Sequence, residues 1–475
     1  MAGNVRRGWF LALALAALGP AVAAQEQKDD ADGDWAAQLQ AMQGEMQLLR
    51  ADNERMQDEI DRLRVETSDN WLTETRADEI RTLVSDVLAD ADLRTNHLQN
   101  GLAAGWSEHF YLASPDGRFK LQLDGQIQTR FIWSYHDQRD RHRSGYEVTR
   151  SKLTLRGNVF GPDVSYLIRT DHTRNEPGLV TGLYFMQDVW IGFQLDNEWS
   201  LRAGQFKLPY NREELISSSR QMAVERSLVN ENMNIGRSQG VELSFVDETA
   251  KFMLATSDGG SDNLGGFGNL LGTFPPYSNA LDEDVEWAFT TRYELKAAGT
   301  WNQFTDFTSR PEEEFGLLFG LGGHFQQNES NNNPTGDRDE HRWVAGAFDV
   351  SAEWGGASAF FSIMHSYVDN GSFGQINITG VTLEGAFYMT PKVEVFARWE
   401  YGWWRFSNFD FSDLHAVTLG VNYYIDGHDL KWTTDIGFGV GKIDQNWEAD
   451  IAGWRQDADS AEPQVVFRTQ FQLLF

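Results

Sequence analysis

From residue 105 onward, apolar and polar side chains alternate along the chain with a period of two, and this pattern restricts the fold more than any other feature. Successive side chains of a β-strand point to opposite faces, so each such segment has one apolar face and one polar face. In residues 118–131 the apolar set is Phe119, Leu121, Leu123, Ile127 and Phe131, and the polar set is Lys120, Gln122, Asp124, Gln126, Gln128 and Arg130. Strands of this kind need an apolar medium on one side and water on the other.

About sixteen segments of this kind can be counted, and an even number allows antiparallel strands to close into a barrel. They cover residues 118–134, 147–159, 163–172, 183–195, 198–207, 236–247, 250–257, 285–296, 314–327, 342–354, 357–367, 376–390, 392–403, 411–425, 429–441 and 464–475. Short turns and longer polar loops alternate between them, which is typical of transmembrane barrels. The connection 297–313 departs from this rule, because it is long where a tight turn is expected. We predict an all-β transmembrane barrel of about sixteen antiparallel strands over residues 105–475.

The N-terminal 24 residues have the layout of a cleavable secretory signal. Arg6 and Arg7 precede an apolar run from Trp9 to Leu18, and small residues follow up to Ala24. We therefore predict a signal peptide over residues 1–24 and a mature chain that begins near Gln25.

Residues 25–70 are predicted to form an acidic linker and a coiled-coil stalk, which would place an α-helical segment before the barrel. Core residues recur at alternating spacings of three and four, the heptad pattern, at Leu39, Met42, Met46, Leu49, Asn53, Met56, Ile60 and Leu63. The polar Asn53 would fix the register and number of helices at some cost in stability. One amphipathic helix that folds back on its own chain is the alternative. A second helical segment is predicted for residues 71–104.

The charge and residue composition exclude several classes of function. The chain has 40 Lys+Arg against 70 Asp+Glu, a formal net charge of −30. Because contacts with nucleic-acid phosphates need clustered cations, we predict that the protein has no nucleic-acid partner. There is no cysteine, and the ten histidines show no metal-ligand spacing, so we predict no metal and no cofactor. The sequence Gly236–Gly240 matches G-x-S-x-G, but it continues into a predicted strand rather than a helix. We therefore predict no catalytic residue and no enzymatic activity.

The C-terminal segment has a regular apolar face that ends on the last residue. This face consists of Val465, Phe467, Thr469, Phe471, Leu473 and Phe475. It resembles the terminal strand that the outer-membrane assembly machinery recognises, so that machinery is a predicted partner, together with the lipid bilayer.

The polar faces of the predicted strands would line a pore, whose selectivity depends on the sign of the lining charges. The predicted anion track comprises Lys120, Arg130, Arg150, Lys152, Arg156, Arg169, Arg202, Arg292 and Arg398. Lys431 and Arg468 lie on the same faces, together with eight acidic residues, so the excess of cations is modest. The pattern favours anions, and the alternative is that these charges only neutralise one another.

The connection from Leu208 to Ile235 is too long for a surface loop without a function. We predict that residues 208–235 fold inward and narrow the pore, with an external lid or a trimer latch as the alternative. The charged residues of this predicted constriction are Arg212, Glu213, Glu214, Arg220, Glu225 and Arg226.

Several motifs of the second part of the chain resemble the phosphate-selective porin O and P family. They are residues 204–209 (GQFKLP), 225–227 (ERS), 236–241 (GRSQGV), 110–117 (FYLASPDG) and 123–128 (LDGQIQ). The resemblance covers most of residues 105–475 and implies a sixteen-stranded, trimeric outer-membrane porin, with members that pass phosphate or polyphosphate. The acidity and the helical stalk of this chain depart from the phosphate-uptake pattern.

Two functions from different classes follow. The first is an outer-membrane porin with a periplasmic stalk, which would let small hydrophilic solutes diffuse passively and would favour anions such as phosphate. The alternative is a structural anchor, in which the coiled coil tethers the envelope to the cell wall and the barrel only holds it in the membrane.

Overall fold

The computed structural model describes most of the second part of the chain and a few residues before it. The described residues are 51, 55–57, 82, 102–107, 109–135, 142–172, 184–260, 285–328, 341–370, 374–406, 413–441, 443, 444, 447, 449, 452–455 and 463–475.

Sixteen of the described strands form one closed antiparallel barrel. Each strand from β3 to β18 pairs with the next, and β18 returns to β3 from Val465↔Tyr135 to Leu474↔Gln126. The strands are β1 Ala103–Ser107, β2 His109–Ala113, β3 Lys120–Tyr135, β4 His142–Asn158, β5 Val164–His172, β6 Tyr184–Gln194, β7 Trp199–Lys207, β8 Arg237–Val246, β9 Ala250–Ser257, β10 Val285–Ala298, β11 Gly316–Asn328, β12 His341–Trp354, β13 Ala357–Asn370, β14 Gly374–Thr390, β15 Val393–Phe406, β16 Leu414–Asp426, β17 Leu430–Gly439 and β18 Gln464–Leu474. The predicted sixteen-stranded barrel is confirmed.

The outer face of the barrel is apolar, as the alternation predicts. Side chains from all around the wall point outward and are exposed, among them Ile127, Leu153, Ile191, Val241, Leu254, Phe289, Leu321, Phe348, Leu383, Leu419, Trp432 and Phe471. An apolar belt of this kind matches a barrel whose surroundings are hydrocarbon. Among the described residues, no helix has the length and apolar character required to cross a membrane.

The two ends of the barrel differ in their connections. At one end, called the short-turn end here, residues 159–163, 195–198, 247–249, 355–356, 391–392 and 427–429 join neighbouring strands. The connection 299–315, also at this end, is long as the sequence indicated, and it contains a 3-10 helix at Gln303–Thr305. Its side chains Phe304 and Phe307 are buried, so this connection folds into the end of the barrel.

The first two strands form a hairpin that the sequence pattern did not reveal. β1 pairs with β2, and β2 pairs with the beginning of β3 from Phe110↔Leu123 to Ala113↔Lys120. Ala103 and Ala104, which the prediction assigned to the second helical segment, therefore belong to a strand. Two alanines fit a helix as well as a strand, and here the pairing with β2 decides.

The structure describes little of the predicted stalk. Residues 51, 55–57 and 82 are helical, and Met56 is exposed. The predicted signal peptide lies outside the described residues. So do the other predicted core positions, which are Leu39, Met42, Met46, Leu49, Asn53, Ile60 and Leu63. The coiled coil stays a prediction.

Candidate functional site: the barrel lumen

Residues 208–235, the constriction segment, enter the barrel directly after β7. They contain two short helices, α1 (Arg212–Leu215) and α2 (Leu228–Met233), and the Ser227 side chain caps α2 by accepting a hydrogen bond from the Asn230 backbone N–H. Leu208, Tyr210 and Met233 are fully buried. The segment therefore folds inward rather than over the outside of the barrel.

The backbone of the constriction segment is held by polar side chains of the wall. Gln472 donates to the Ser219 carbonyl at 2.9 Å, and Lys431 donates to the Gln221 carbonyl at 2.8 Å. Further along, Asn422 donates to the Met222 carbonyl, the Val224 N–H donates to Asp435, and Arg398 donates to the Glu225 carbonyl, each at 2.9 Å. These partners lie on β15 to β18. Residues 219–225 of the segment are therefore attached to this side of the barrel.

Two wall glycines leave the space that the constriction segment occupies. A Cβ at Gly322 would lie 2.1 Å from the Tyr210 carbonyl oxygen, and a Cβ at Gly380 would lie 2.4 Å from a Val229 methyl carbon. Any side chain at these positions would meet the segment, so the wall and the segment fit only because glycine is present.

One half of the lumen is filled by apolar side chains. Buried residues of the constriction segment pack with the inner faces of β12 to β16 and with five residues of the last long loop, Ile443, Trp447, Ala449, Ala452 and Trp454. The larger members of this cluster are Tyr210, Leu228, Met233, Trp343, Met364, Ile378, Trp404, Leu414, Ile443, Trp447 and Trp454. Close-packed apolar groups of this kind exclude water from the space that they occupy.

Several predicted pore-lining cations are buried in ion pairs. Arg292 and Asp349 form a bidentate ion pair at 2.8 Å, and both are buried. Arg398 donates to Glu384, and Arg130 donates to Glu147 and Glu225. Arg130, Arg292 and Arg398 thus face the barrel interior, where carboxylates neutralise them away from water.

The wall formed by β4 to β8 is different, because its charged side chains remain in contact with solvent. Its cations are Arg150, Lys152, Arg169, Arg202, Lys207 and Arg237. Each pairs with an acid, yet in every pair the cation is the more exposed partner. Arg169 is 34% exposed against 8% for Asp188, and Arg202 is 27% exposed against 3% for Glu242. The open half of the lumen therefore presents cationic groups to a solute.

Lys207 and Arg237 were missed by the sequence prediction. Lys207 ends β7 and Arg237 begins β8, at positions where strand alternation does not define a face. Lys152 is nonetheless close enough to both for their charges to repel. Lys207 and Arg237 lie within the motifs GQFKLP and GRSQGV. These motifs indicated that the two strand ends are of interest, but they did not indicate the direction in which the two side chains point.

The two remaining members of the predicted anion track lie towards the short-turn end. Arg156 pairs with Asp124 at 2.9 Å, and its guanidinium is 2.8 Å from the His109 ring nitrogen. Lys120 begins β3 and is exposed. Both are distant in sequence from the constriction segment and make no hydrogen bond with it among the described contacts.

The charged residues of the constriction segment mostly hold the segment in place. Arg212 donates to the carbonyls of Phe304 and Asp306, at 2.8 and 2.7 Å. Glu213 accepts from the N–H and hydroxyl of Ser227. Arg220 approaches Asp306 at 3.5 Å, which ties the segment to the short-turn end.

Glu214, Glu225 and Arg226 bring charge to the open half. Arg226 pairs with Glu214 at 3.2 Å, and Glu225 is held by Arg150 at 2.6 Å and also by Arg130. Burial alone would raise the pKa of Glu225, but the guanidinium groups of Arg150 and Arg130 lower it to about 2. Glu225 is therefore a permanent anion that fixes the segment to β3 and β4.

Glu231 on α2 provides a pH-dependent charge in this region. Burial raises its pKa to about 7, with Arg226 opposing the shift and Glu225 and Glu214 adding to it. Lowering the pH from about 8 to about 5 crosses this pKa, protonates Glu231 and makes the lumen more positive by nearly one charge. We expect the anion-to-cation permeability ratio to rise over this range, as measured by reversal potentials. In Glu231→Gln this part of the pH dependence should disappear, and an unchanged titration would contradict the assignment.

A comparison with known protein families identifies the family of this chain. A profile of the family described as phosphate-selective porin O and P matches residues 121–436. The chain belongs to this family. The match runs from the start of β3 into β17 and includes the whole constriction segment, and the family and the barrel fold are those of a channel in the outer membrane. Among the described residues, no group of three or more potential ligands could hold a metal ion.

Two solved structures have a similar fold, and one curated relative is similar in sequence. The chain is similar to an anion-selective porin from Comamonas acidovorans, with 12% identity, a TM-score of 0.52, and coverage of 75% of this chain and 99% of that one. It is also similar to a loop L8 deletion mutant of OmpT, an outer membrane protein of Vibrio cholerae, with 10% identity, a TM-score of 0.50, and coverage of 75% and 100%. An uncharacterized protein of Aquifex aeolicus is 27% identical over 310 residues. That match spans 59% of this chain and 65% of the relative, less than two thirds of its length.

Proposed function

We propose that the protein is an outer-membrane diffusion channel for small hydrophilic solutes, and that it favours anions. The observation that carries this proposal is the asymmetry of the ion pairs on β4 to β8, where each cation is more exposed than its carboxylate partner. Since the opposite half of the lumen is packed with apolar groups, a solute must pass along this cationic wall.

The physical basis is the distance at which a solute meets each charge. The paired carboxylates Asp188 and Glu242 lie deeper in the wall than Arg169 and Arg202, so a passing anion approaches the guanidinium groups first. Partly solvated cations also bind weakly, because water screens them. Successive weak contacts let an anion enter and still leave, as conduction requires.

Inorganic anions such as phosphate are the proposed solutes. The phosphate selectivity for which the family is described supports phosphate, the Comamonas porin is anion-selective, and guanidinium groups such as those of the wall match the geometry of phosphate oxygens. Measuring the permeability of phosphate relative to chloride would separate phosphate preference from a general preference for anions.

The preference for anions is tested by reversal potentials across planar bilayers in a salt gradient. In a variant with Arg169→Gln and Arg202→Gln, the anion-to-cation permeability ratio should fall by about fivefold, which corresponds to ~1 kcal/mol of Coulomb energy at contact distance in water. Arg405→Gln is the matched control, because Arg405 is exposed and pairs with Asp413 outside the lumen. An equal change in both variants, or a preference for cations in the native protein, would contradict the proposal.

The assembly around the barrel is also part of the proposal. We infer a homotrimer with a signal peptide over residues 1–24 and a periplasmic coiled-coil stalk within residues 25–70. Recognition of the last strand by the assembly machinery is supported by its ordered end, because Phe475 exchanges backbone hydrogen bonds with Gly125 and its ring covers that glycine. A protein that inserts into bilayers but does not conduct would instead favour the structural anchor.

A further inference from the structure

The β1–β2 hairpin extends the barrel wall beyond the strands that close it, and its outer face is apolar. Phe110 and Leu112 lie opposite Leu123 and Leu121, which belong to the outward-facing set of β3. Trp106 lies opposite Phe110 in β1, so it points outward too. Trp106 is 64% exposed and Phe110 42% exposed. The lipid-facing belt of the barrel thus continues onto a segment that lies before the region matched by the family profile.

The inner face of the hairpin is fixed to the barrel, so the apolar face cannot turn inward. His109 pairs with Asp124 at 2.7 Å, and its other ring nitrogen is 2.8 Å from the Arg156 guanidinium. Tyr111 is buried, and its ring lies so close to Gly105 that a Cβ there would be 2.7 Å from the tyrosine oxygen. Trp106 and Phe110 are therefore held away from the barrel interior.

The position of the hairpin defines the depth at which it would meet a membrane. It pairs with Lys120 to Leu123 at the beginning of β3, beside the tight turn in which the Gly161 N–H donates to the Arg118 carbonyl. Among the described strands β1 pairs only with β2, and open sheet edges are not stable within hydrocarbon. Tryptophan, in contrast, is enriched where the bilayer meets water.

We propose that the outer face of the β1–β2 hairpin binds the headgroup region of the leaflet at the short-turn end of the barrel. Its apolar face is continuous with the membrane-facing belt, and its open edge excludes a deeper location. Trp106 and Phe110 are the contacting residues, and the hairpin sets the depth of the barrel at this side of the membrane.

The absence of cysteine from the chain allows a direct test with single labels. The full-length protein with Trp106→Cys is labelled with an environment-sensitive NBD dye and reconstituted into phosphatidylcholine vesicles. We expect a blue-shifted emission, stronger quenching by nitroxide at the lipid headgroup than by nitroxide near the end of the acyl chain, and weak quenching by aqueous iodide. Phe110→Cys provides a second label in case Trp106→Cys folds poorly.

Two reference positions calibrate the measurement, and channel conductance is recorded for each variant to show that the barrel is intact. Leu383→Cys lies on the outer face of β14 and should respond most to the deep nitroxide, while Glu248→Cys is exposed in the short turn 247–249 and should respond to iodide. Quenching at Trp106→Cys that equals the Glu248→Cys pattern would overturn the proposal. Protection from all three quenchers would also overturn it, because a second copy of the chain would then cover the hairpin.

Discussion

Replacing Asp349 with alanine is expected to destabilise the barrel by about 3–5 kcal/mol, because it leaves the buried guanidinium of Arg292 without its main partner. Both side chains are fully buried, and their two hydrogen bonds are each 2.8 Å long. Glu294 still accepts from Arg292 at 2.8 Å, but it contacts only the Nε atom. The measurement is guanidinium-induced unfolding in lipid vesicles, followed by tryptophan fluorescence.

Two control variants distinguish the loss of stability caused by an unpaired buried charge from the loss caused by poorer packing. Asp413→Ala removes one partner of an exposed ion pair with Arg405 and should cost at most about 1 kcal/mol. Adding Arg292→Met to Asp349→Ala should recover much of the lost stability, since no buried charge then remains unpaired. If Asp349→Ala were no more destabilising than Asp413→Ala, this pair would not be desolvated as the structure shows.

Replacing Gly322 with alanine is expected to displace the constriction segment and to increase the single-channel conductance. The new Cβ would lie 2.1 Å from the Tyr210 carbonyl oxygen, and this contact involves backbone that no change of rotamer can relieve. Tyr210 is held on the wall from two sides, by Arg292, which donates to its carbonyl at 3.0 Å, and by its own hydroxyl, which donates to the Gly346 carbonyl at 2.9 Å. Overpacking of this kind costs about 1–3 kcal/mol, which is enough to weaken both attachments.

The neighbouring glycines provide matched controls for this substitution. The nearest atom to a Cβ at Gly323 is 3.5 Å away, and at Gly346 it is 4.0 Å away, so alanine fits at either position without strain. Gly323→Ala and Gly346→Ala should therefore conduct as the native protein does. A conductance of Gly322→Ala equal to that of these controls would show that the start of the segment does not narrow the pore.

The barrel was predictable from sequence because strand alternation is a local property. Whether Phe289 faces lipid and Thr290 faces the lumen depends only on neighbouring positions in one strand, and an apolar medium on one side requires the pattern to continue around the wall. Whether an inward-facing charged side chain is buried or exposed to water depends instead on distant parts of the chain. Arg292 and Arg169 occupy equivalent inward positions, yet one is buried beneath the constriction segment and the other contacts water.

The sequence by itself determined an antiparallel barrel of sixteen strands, because this fold depends on strand periodicity, and the length of the connection 208–235 singled out the segment after β7. Only the tertiary structure decided which half of the lumen is open. The constriction segment contacts Arg130 through the Glu225 carboxylate, Arg292 through the Tyr210 carbonyl and Arg398 through the Glu225 carbonyl, and this long-range packing leaves the three cations buried. It also placed Lys207 and Arg237 beside Lys152, because strand ends have no periodicity from which the direction of a side chain could be predicted.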